Sequence, residues 1–352
     1  MTTDDYVNEA VALLGKLIAT PRTSRNETCA AGILESFMRD RSLNTQRTGN
    51  NIISICNDYD EKKPTLLLNA HIDTVKPTAS WTRNPYEPAI EGDRLYGIGS
   101  NDCGGGLMAL LQAYRLTLRL PRRYNTIYVA SAEEEVSGAR GISSVLPLLP
   151  EIDVAIVGEP TGMQPATAER GLMVIDATAH GRSGHAARDE GINAIYAAVD
   201  DLLWLRDHRF ERVSRLLGPV KTSVTVINAG TQHNVIPDEC RFIIDVRTNE
   251  LYTNEEVFDI IRSSLHSEVK ARSFRLRPSS ISTDHPIIRQ LIAMGKHPFG
   301  SPTLSDQALM PFPSVKIGPG SPSRSHSADE YIKISEIKEA VSLYTRLITS
   351  TE

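Results

Sequence analysis

The spacing of apolar residues changes along the chain, and each change marks a boundary. Near the start, Val7, Val11, Leu14 and Ile18 recur every three or four positions, which predicts an amphipathic helix. From Ile52 to about Glu159, short continuous apolar runs alternate with helical stretches. Thr65 to Ala70 is such a run, and unbroken apolar character marks a parallel strand covered on both faces. Gly104 to Leu120 reads as a helix opened by glycines, with Leu107, Leu110, Leu111 and Tyr114 on its buried side. Thr126 to Ala130 and Val154 to Gly158 are two further buried strands. This alternation predicts an α/β domain: a mostly parallel sheet with helices on both faces.

Near Gly171 the period shortens to two. Leu172 to Ala179 alternates, a helix follows from about Asn193 to His208, then strands from Lys221 to Ile227 and Arg241 to Arg247, then a helix from about Asn254 to Leu265. That order is ferredoxin-like and predicts a smaller α+β domain. After Asp284 the alternation of helix and buried strand returns, and an amphipathic helix begins at Ser335. The expected organisation is one domain from residues 1–170 and 278–352, with a second inserted at 171–277. No internal repeat or low-complexity segment is visible.

A length of 352 residues suits two domains. Hydrophobic residues at 40% and charged residues at 23% are ordinary for a globular protein. A net charge of −5 offers no long-range attraction to nucleic acid or anionic membrane. Cys29, Cys56, Cys103 and Cys240 form no C-x-x-C pair, which argues against a zinc knuckle or disulfide framework and for a reducing compartment. The first residues are acidic where a secretory signal is basic, and no apolar stretch approaches the roughly 20 residues of a membrane span. A soluble cytoplasmic protein is expected.

Five polar stations follow apolar runs, and none is a thiolate. His71 and Asp73 sit at the end of the first buried strand; alternate side chains share a face, so the two can meet. Asp73 would then orient a metal-bound imidazole, or the two form an ordinary strand-end pair. Asp102 precedes Gly104-Gly105-Gly106 and is either an ion ligand or the N-cap of the following helix. Glu133-Glu134-Glu135 is a solvated acidic run unless it lines the crevice at the carboxyl ends of parallel strands, where open α/β sheets bind ligands. Glu159, before Pro160, ends the next strand in an extended conformation. His326 lies in a loop after Gly318-Pro319-Gly320; alone it reads as a surface residue, and Asp329 and Glu330 as first-turn acids of the last helix. Jointly, carboxylates and imidazoles delivered to one sheet edge suit zinc, cobalt or manganese with open positions. A metal-stabilised, non-catalytic dimeric binding protein is the competing class; structural zinc is usually ringed by four ligands, often thiolates, without a spare base.

These segments resemble the co-catalytic zinc hydrolases that include acetylornithine deacetylase, succinyl-diaminopimelate desuccinylase, aminoacylase and related carboxypeptidases. The resemblance runs from H-x-D through E-E and G-E-P-T to the closing H-S-A-D-E, in the family's order. It implies two divalent ions, zinc with cobalt as the alternative. His71 and Glu159 would bind one, Glu135 and His326 the other, with Asp102 bridging. It further implies that a water activated between the ions attacks an acyl carbonyl, with Glu134 as general base. Gly181-Arg182-Ser183-Gly184-His185 resembles the family's glycine-histidine turn, which implies a homodimer in which His185 reaches the partner's site and steadies the oxyanion. Asn234, Arg247 and Gly318 correspond to substrate-binding positions; Arg247 suits a bidentate grip on a carboxylate, or is a surface strand residue. Relatives often read G-R-G and D-M-K-G around the bridging aspartate; here the strings are G-I-G and D-C-G-G, and no ligand is lost.

The substrate this implies is a small N-acyl amino acid, acetylornithine or an acyl-citrulline, in arginine biosynthesis. Succinyl-diaminopimelate is the alternative, with Arg170 or Arg324 as the second cation a succinyl group needs; a dipeptide is the third. No nucleic acid or membrane partner is expected.

Overall fold

A computed structural model describes residues 2–188 and 190–350. The chain forms two compact units. One holds the chain up to Thr167 together with Ile281–Phe299 and the stretch from Ser305 onward; the other holds Ala168–Ser280 with Gly300–Leu304.

The larger unit is built on a sheet in the order Thr45–Thr48, Asn51–Ile55, Asn125–Ser131, Thr65–His71, Val154–Val157, Ser314–Lys316. The four strands from Asn125–Ser131 to Ser314–Lys316 run parallel; the strands outside them join antiparallel. Leu66, Leu68, Ala70, Tyr128, Ala130 and Ile156 face a core formed by helices Thr3–Ile18, Thr28–Asp40, Gly105–Thr117 and Ile334–Thr349. Leu67, Ile127, Val129, Ala155 and Val157 face a second core with Ile142 and Val145 of the short helix Ile142–Val145. Covering both faces explains why these strands read as continuous apolar runs. The helix Thr28–Asp40 went unmarked by the sequence pattern.

Parallel pairing also aligns strand ends. His71 lies opposite Ser131, and Asn69 opposite both Val129 and Val157. The residues that follow these three strands therefore emerge side by side. The helix Gly105–Thr117 comes close to one of them: a Cβ on Gly106 would stand 1.6 Å from the Gly158 carbonyl oxygen. Only glycine permits that approach.

The smaller unit carries a four-stranded antiparallel sheet in the order Lys221–Ala229, Glu239–Arg247, Met173–His180, Glu268–Ala271. Numbered by sequence, that is the 2-3-1-4 order of a ferredoxin-like fold. Its core joins Ile175, Phe242 and Ile244 to Ala198 and Leu205 of helix Ala194–Asp207 and to Val257 and Ile261 of helix Asn254–Ser264. Among the described residues, no helix is long and apolar enough to cross a membrane.

Two glycine replacements should behave oppositely. Gly32→Ala lies inside a helix where its Cβ would meet only Arg47 Nη1 at 3.8 Å, and should stabilise by about 0.5–1 kcal/mol. Gly106→Ala drives a methyl into backbone and should cost about 1–3 kcal/mol. Denaturant midpoints check both; a neutral Gly106→Ala would refute the tight crossing.

Candidate metal centre

The site grows from three strand ends. His71 closes its strand almost fully buried, with Nδ1 2.9 Å from the Asp73 carbonyl oxygen. That contact orients the ring and directs Nε2 into the crevice. The Asp73 carboxylate lies farther off, 3.5 Å from Nδ1. It accepts hydrogen bonds from Ser24 Oγ (2.7 Å) and from the amides of Glu134 (3.1 Å) and Glu135 (3.2 Å). Asp73 thus steers the imidazole through its main chain and the acidic turn through its side chain.

The three consecutive glutamates part company. Glu133 and Ser137, with φ of +56° and +45°, bracket a single turn at Glu134–Val136. The Glu133 carboxylate turns away to Arg140 Nε at 2.9 Å, and its amide donates to Glu27 Oε1. Glu134 and Glu135 turn inward. The run is therefore not a solvated face.

Asp102 lies in the turn Ser100–Gly104 with φ −112° and ψ 98°, outside the helical region, and the helix Gly105–Thr117 has no side-chain N-cap. The capping alternative for Asp102 is thereby excluded. One carboxylate oxygen, Oδ1, is 3.3 Å from His71 Nε2, and the other, Oδ2, is 3.6 Å from His326 Nε2. Glu159 Oε1 is 3.5 Å from His71 Nε2 and has no hydrogen-bond partner although buried. Glu135 Oε2 approaches His326 Nε2 at 2.9 Å. Two triads centred on the imidazoles result, His71–Asp102–Glu159 and His326–Asp102–Glu135, sharing Asp102; atoms of Glu135 also lie within 4.8 Å of His71 and Asp102, so the two sets adjoin. Glu134 stands beside them, its Oε2 3.9 Å from His71 Nε2. His326, 54% exposed, has φ +55°.

This much like charge is uncomfortable without cations. Burial, reinforced by Glu159, Asp306 and Glu135, pushes the Glu134 carboxyl well above the usual range against the pull of His71. Burial likewise pushes Glu159 up to about 8. Burial disfavours charge on His71, but the surrounding acids prevail and raise it. The hydrogen bond to Glu135 lifts His326 to about 9. Oxygen and imidazole donors with a shared carboxylate and an orphaned buried oxygen fit two divalent ions. Cys103 is a nearby thiol: its Sγ and atoms of His71 and Glu159 lie within 4.8 Å of one another. The His71 amide donates to that sulfur at 3.2 Å, and burial pushes the thiol up, so it fills space as a neutral side chain.

Gly318 belongs to this cluster: a Cβ there would stand 2.4 Å from the Glu159 carbonyl oxygen, and its own carbonyl accepts from the amides of Thr161 and Met163. Within the smaller unit, His185 pairs with Val235 beside Asn234, whose carbonyl accepts from the Ala186 amide. Three arginines are more occupied than the sequence suggested. Arg247 is held by Asp245 through Nε at 2.8 Å and Nη2 at 3.0 Å, so its bidentate edge is already in use. Arg170 is buried and donates to the carbonyls of Leu217, Pro219 and Arg247. Arg324 pairs with both oxygens of Glu336. Sequence reasoning missed the buried Asp306, which accepts from Ser131 Oγ at 2.6 Å and is pushed up to about 6 by burial. Its contact spans 175 positions, and no local pattern foreshadows it.

The chain is 27% identical to an acetylornithine deacetylase of Edwardsiella ictaluri (strain 93-146), over 96% of each chain. In fold it is similar to aminopeptidase PepT from Bacillus cereus ATCC 10987, with a TM-score of 0.79 at 16% identity over 99% of this chain and 98% of that one. It is also similar to Bacillus subtilis YXEP, a dinuclear metal-binding peptidase of the M20 family, with a TM-score of 0.73 at 16% identity over 98% of each. Residues 67–350 match peptidase family M20/M25/M40, and the chain belongs to that family.

Proposed function

We propose that this hydrolase of amide bonds removes the N-acyl group from an amino acid, most simply acetyl from N-acetylornithine or an N-acyl-citrulline. The observation that carries the reading is the pair of triads sharing Asp102, in a chain alignable almost end to end with an acetylornithine deacetylase. That Arg170 and Arg324 are engaged elsewhere favours a short neutral acyl group over succinyl. By the same resemblance, its place would be arginine biosynthesis in the cytoplasm, with zinc as the metal and cobalt as a substitute.

Bound in the cage, two divalent ions would lower the pKa of a water between them and polarise the acyl carbonyl. Glu134, outside both triads, takes the proton of the attacking water and delivers it to the departing amine, acting first as base and then as acid. Asp73 keeps that carboxylate placed by holding the amides of Glu134 and Glu135. Cleavage leaves a carboxylate and a free α-amino group.

The oxyanion donor in this scheme is His185 of a second subunit. Its Nδ1 accepts from the Ala187 amide at 3.1 Å, so the neutral ring carries its proton on Nε2, ready to donate. The smaller unit offers a surface for pairing. Helix Ala194–Asp207 exposes Ile195, Tyr196 (75%), Val199 and Leu203, and the edge strand Lys221–Ala229 exposes Val226 and Ile227. An apolar stripe beside an open edge is a pairing surface.

Four experiments test the scheme. Steady-state assays on N-acetylornithine, N-acetylcitrulline, succinyl-diaminopimelate and dipeptides should give the largest kcat/KM on an acetylated amino acid; preference for a dipeptide or a succinyl substrate would overturn the proposed specificity. Glu134→Gln should keep two metals per chain while kcat falls by about 10²–10⁴. Chelation should silence the wild type without unfolding it, and zinc or cobalt should restore it. Metal loss in Glu134→Gln would make that residue a ligand, and unfolding on chelation would favour a structural ion. Finally, co-refolding inactive Glu134→Ala with inactive His185→Ala should recover about a quarter of wild-type activity, since random dimers would contain one intact composite site in half their number. Proven mixed dimers without recovery would refute the shared site.

A further inference from the structure

The shared ligand Asp102 is held by a residue outside the ligand set. Glu330 lies four positions beyond His326, in the loop before strand Tyr331–Lys333. The last helix starts at Ile334, so Glu330 is not one of its first-turn acids. Its side chain is 3% exposed and points back into the Asp102 turn. There Oε1 accepts from the amides of Asn101 (2.7 Å) and Asp102 (2.8 Å), while Oε2 accepts from the Gly99 amide (2.9 Å). Three main-chain donors thus converge on one buried carboxyl group, which burial pushes up to about 7 against the pull of those donors.

Buried Arg22 brings a positive charge into the same region, and Glu330 favours its charged form against the cost of burial. Arg22 is 2% exposed; its Nε donates to the Ile72 carbonyl at 2.7 Å and its Nη2 to the Gly99 carbonyl at 3.0 Å. Ile72 sits between His71 and Asp73. Gly99, with φ +68°, makes room: a Cβ there would lie 2.5 Å from Arg22 Nη2. Neighbouring Asn101 exchanges hydrogen bonds with the main chain of Ser321, just ahead of His326. Glu330, Arg22 and Asn101 together tie the His71 strand end, the Asp102 turn and the His326 loop into one frame.

Asp102 is the single ligand both triads share. A rotation of its backbone therefore disturbs both metal positions, whereas displacing Glu135 or Glu159 disturbs one. We infer that Glu330, backed by Arg22, is a positioning residue that sets the orientation of Asp102 and thereby the affinity of both metal positions. The inference rests on the two-metal reading above.

The test is metal binding by Glu330→Gln, whose amide would turn N–H donors toward N–H donors. Equilibrium dialysis with zinc and titration with Co(II), read in the visible spectrum, should show both positions weakened by about 10–100-fold. Glu330→Asp keeps the charge but shortens the reach, and should fall between the two. Arg115→Met removes a buried arginine paired with Glu9 far along the helix Gly105–Thr117. It should lower the melting temperature and leave metal affinity unchanged. If Glu330→Gln does not fold, Glu330→Asp and Arg22→Lys carry the same comparison. Wild-type affinity at both positions in the folded variants, or weakening no greater than in Arg115→Met, overturns the inference. Fewer than two ions on the wild type would instead overturn the two-metal reading.

Discussion

Repulsion between acids crowded into a buried crevice governs this enzyme. Asp102, Glu134, Glu135 and Glu159 surround two imidazoles, and in such surroundings Coulomb energies between unit charges at these distances reach several kcal/mol. Protons relieve the strain only partly, as the upward shifts of Glu134 and Glu159 record. Divalent cations would relieve it, and the buried Glu159 oxygen that lacks a hydrogen-bond partner suits one.

A scaffold that tolerates such a cage must resist its tendency to spring apart. Part of the resistance is the parallel sheet, whose register delivers three strand ends together and whose two apolar faces are both covered. Part is local. Glu133, Ser137, His326 and Asp329 all take left-handed backbone conformations although none is glycine, at about 1–3 kcal/mol each. Asp329 is held there by Thr82 and the Arg83 amide, and Glu330 by the Asp102 turn. The acidic residues of H-S-A-D-E are therefore clasps between segments separated by more than two hundred positions.

Much of this was legible in the chain itself. Thr65–His71 and Val154–Val157 announced themselves as buried strands because a strand covered twice has no polar face to show. The smaller unit was readable for the converse reason: Met173–His180 alternates between buried and exposed, the mark of a sheet covered on one side. Ambiguity settled where geometry could be decisive. Asp102 had the sequence context of a helix cap and proved to lie in a non-helical turn. Arg170 and Arg324 carried charge suited to an anionic acyl group, and internal partners had already claimed it.

The order of strands and helices, and the placing of acids and imidazoles after apolar runs, follow from local periodicity, so the chain alone determined the fold class and the kind of chemistry. Which carboxylate faces which imidazole, and which acid is spent on backbone amides, depend on contacts between distant segments. Glu330 and Arg22 look like surface charges in the string, yet they are buried and frame the site. Only the packed structure could decide that, because burial is a property of the neighbours a residue acquires on folding.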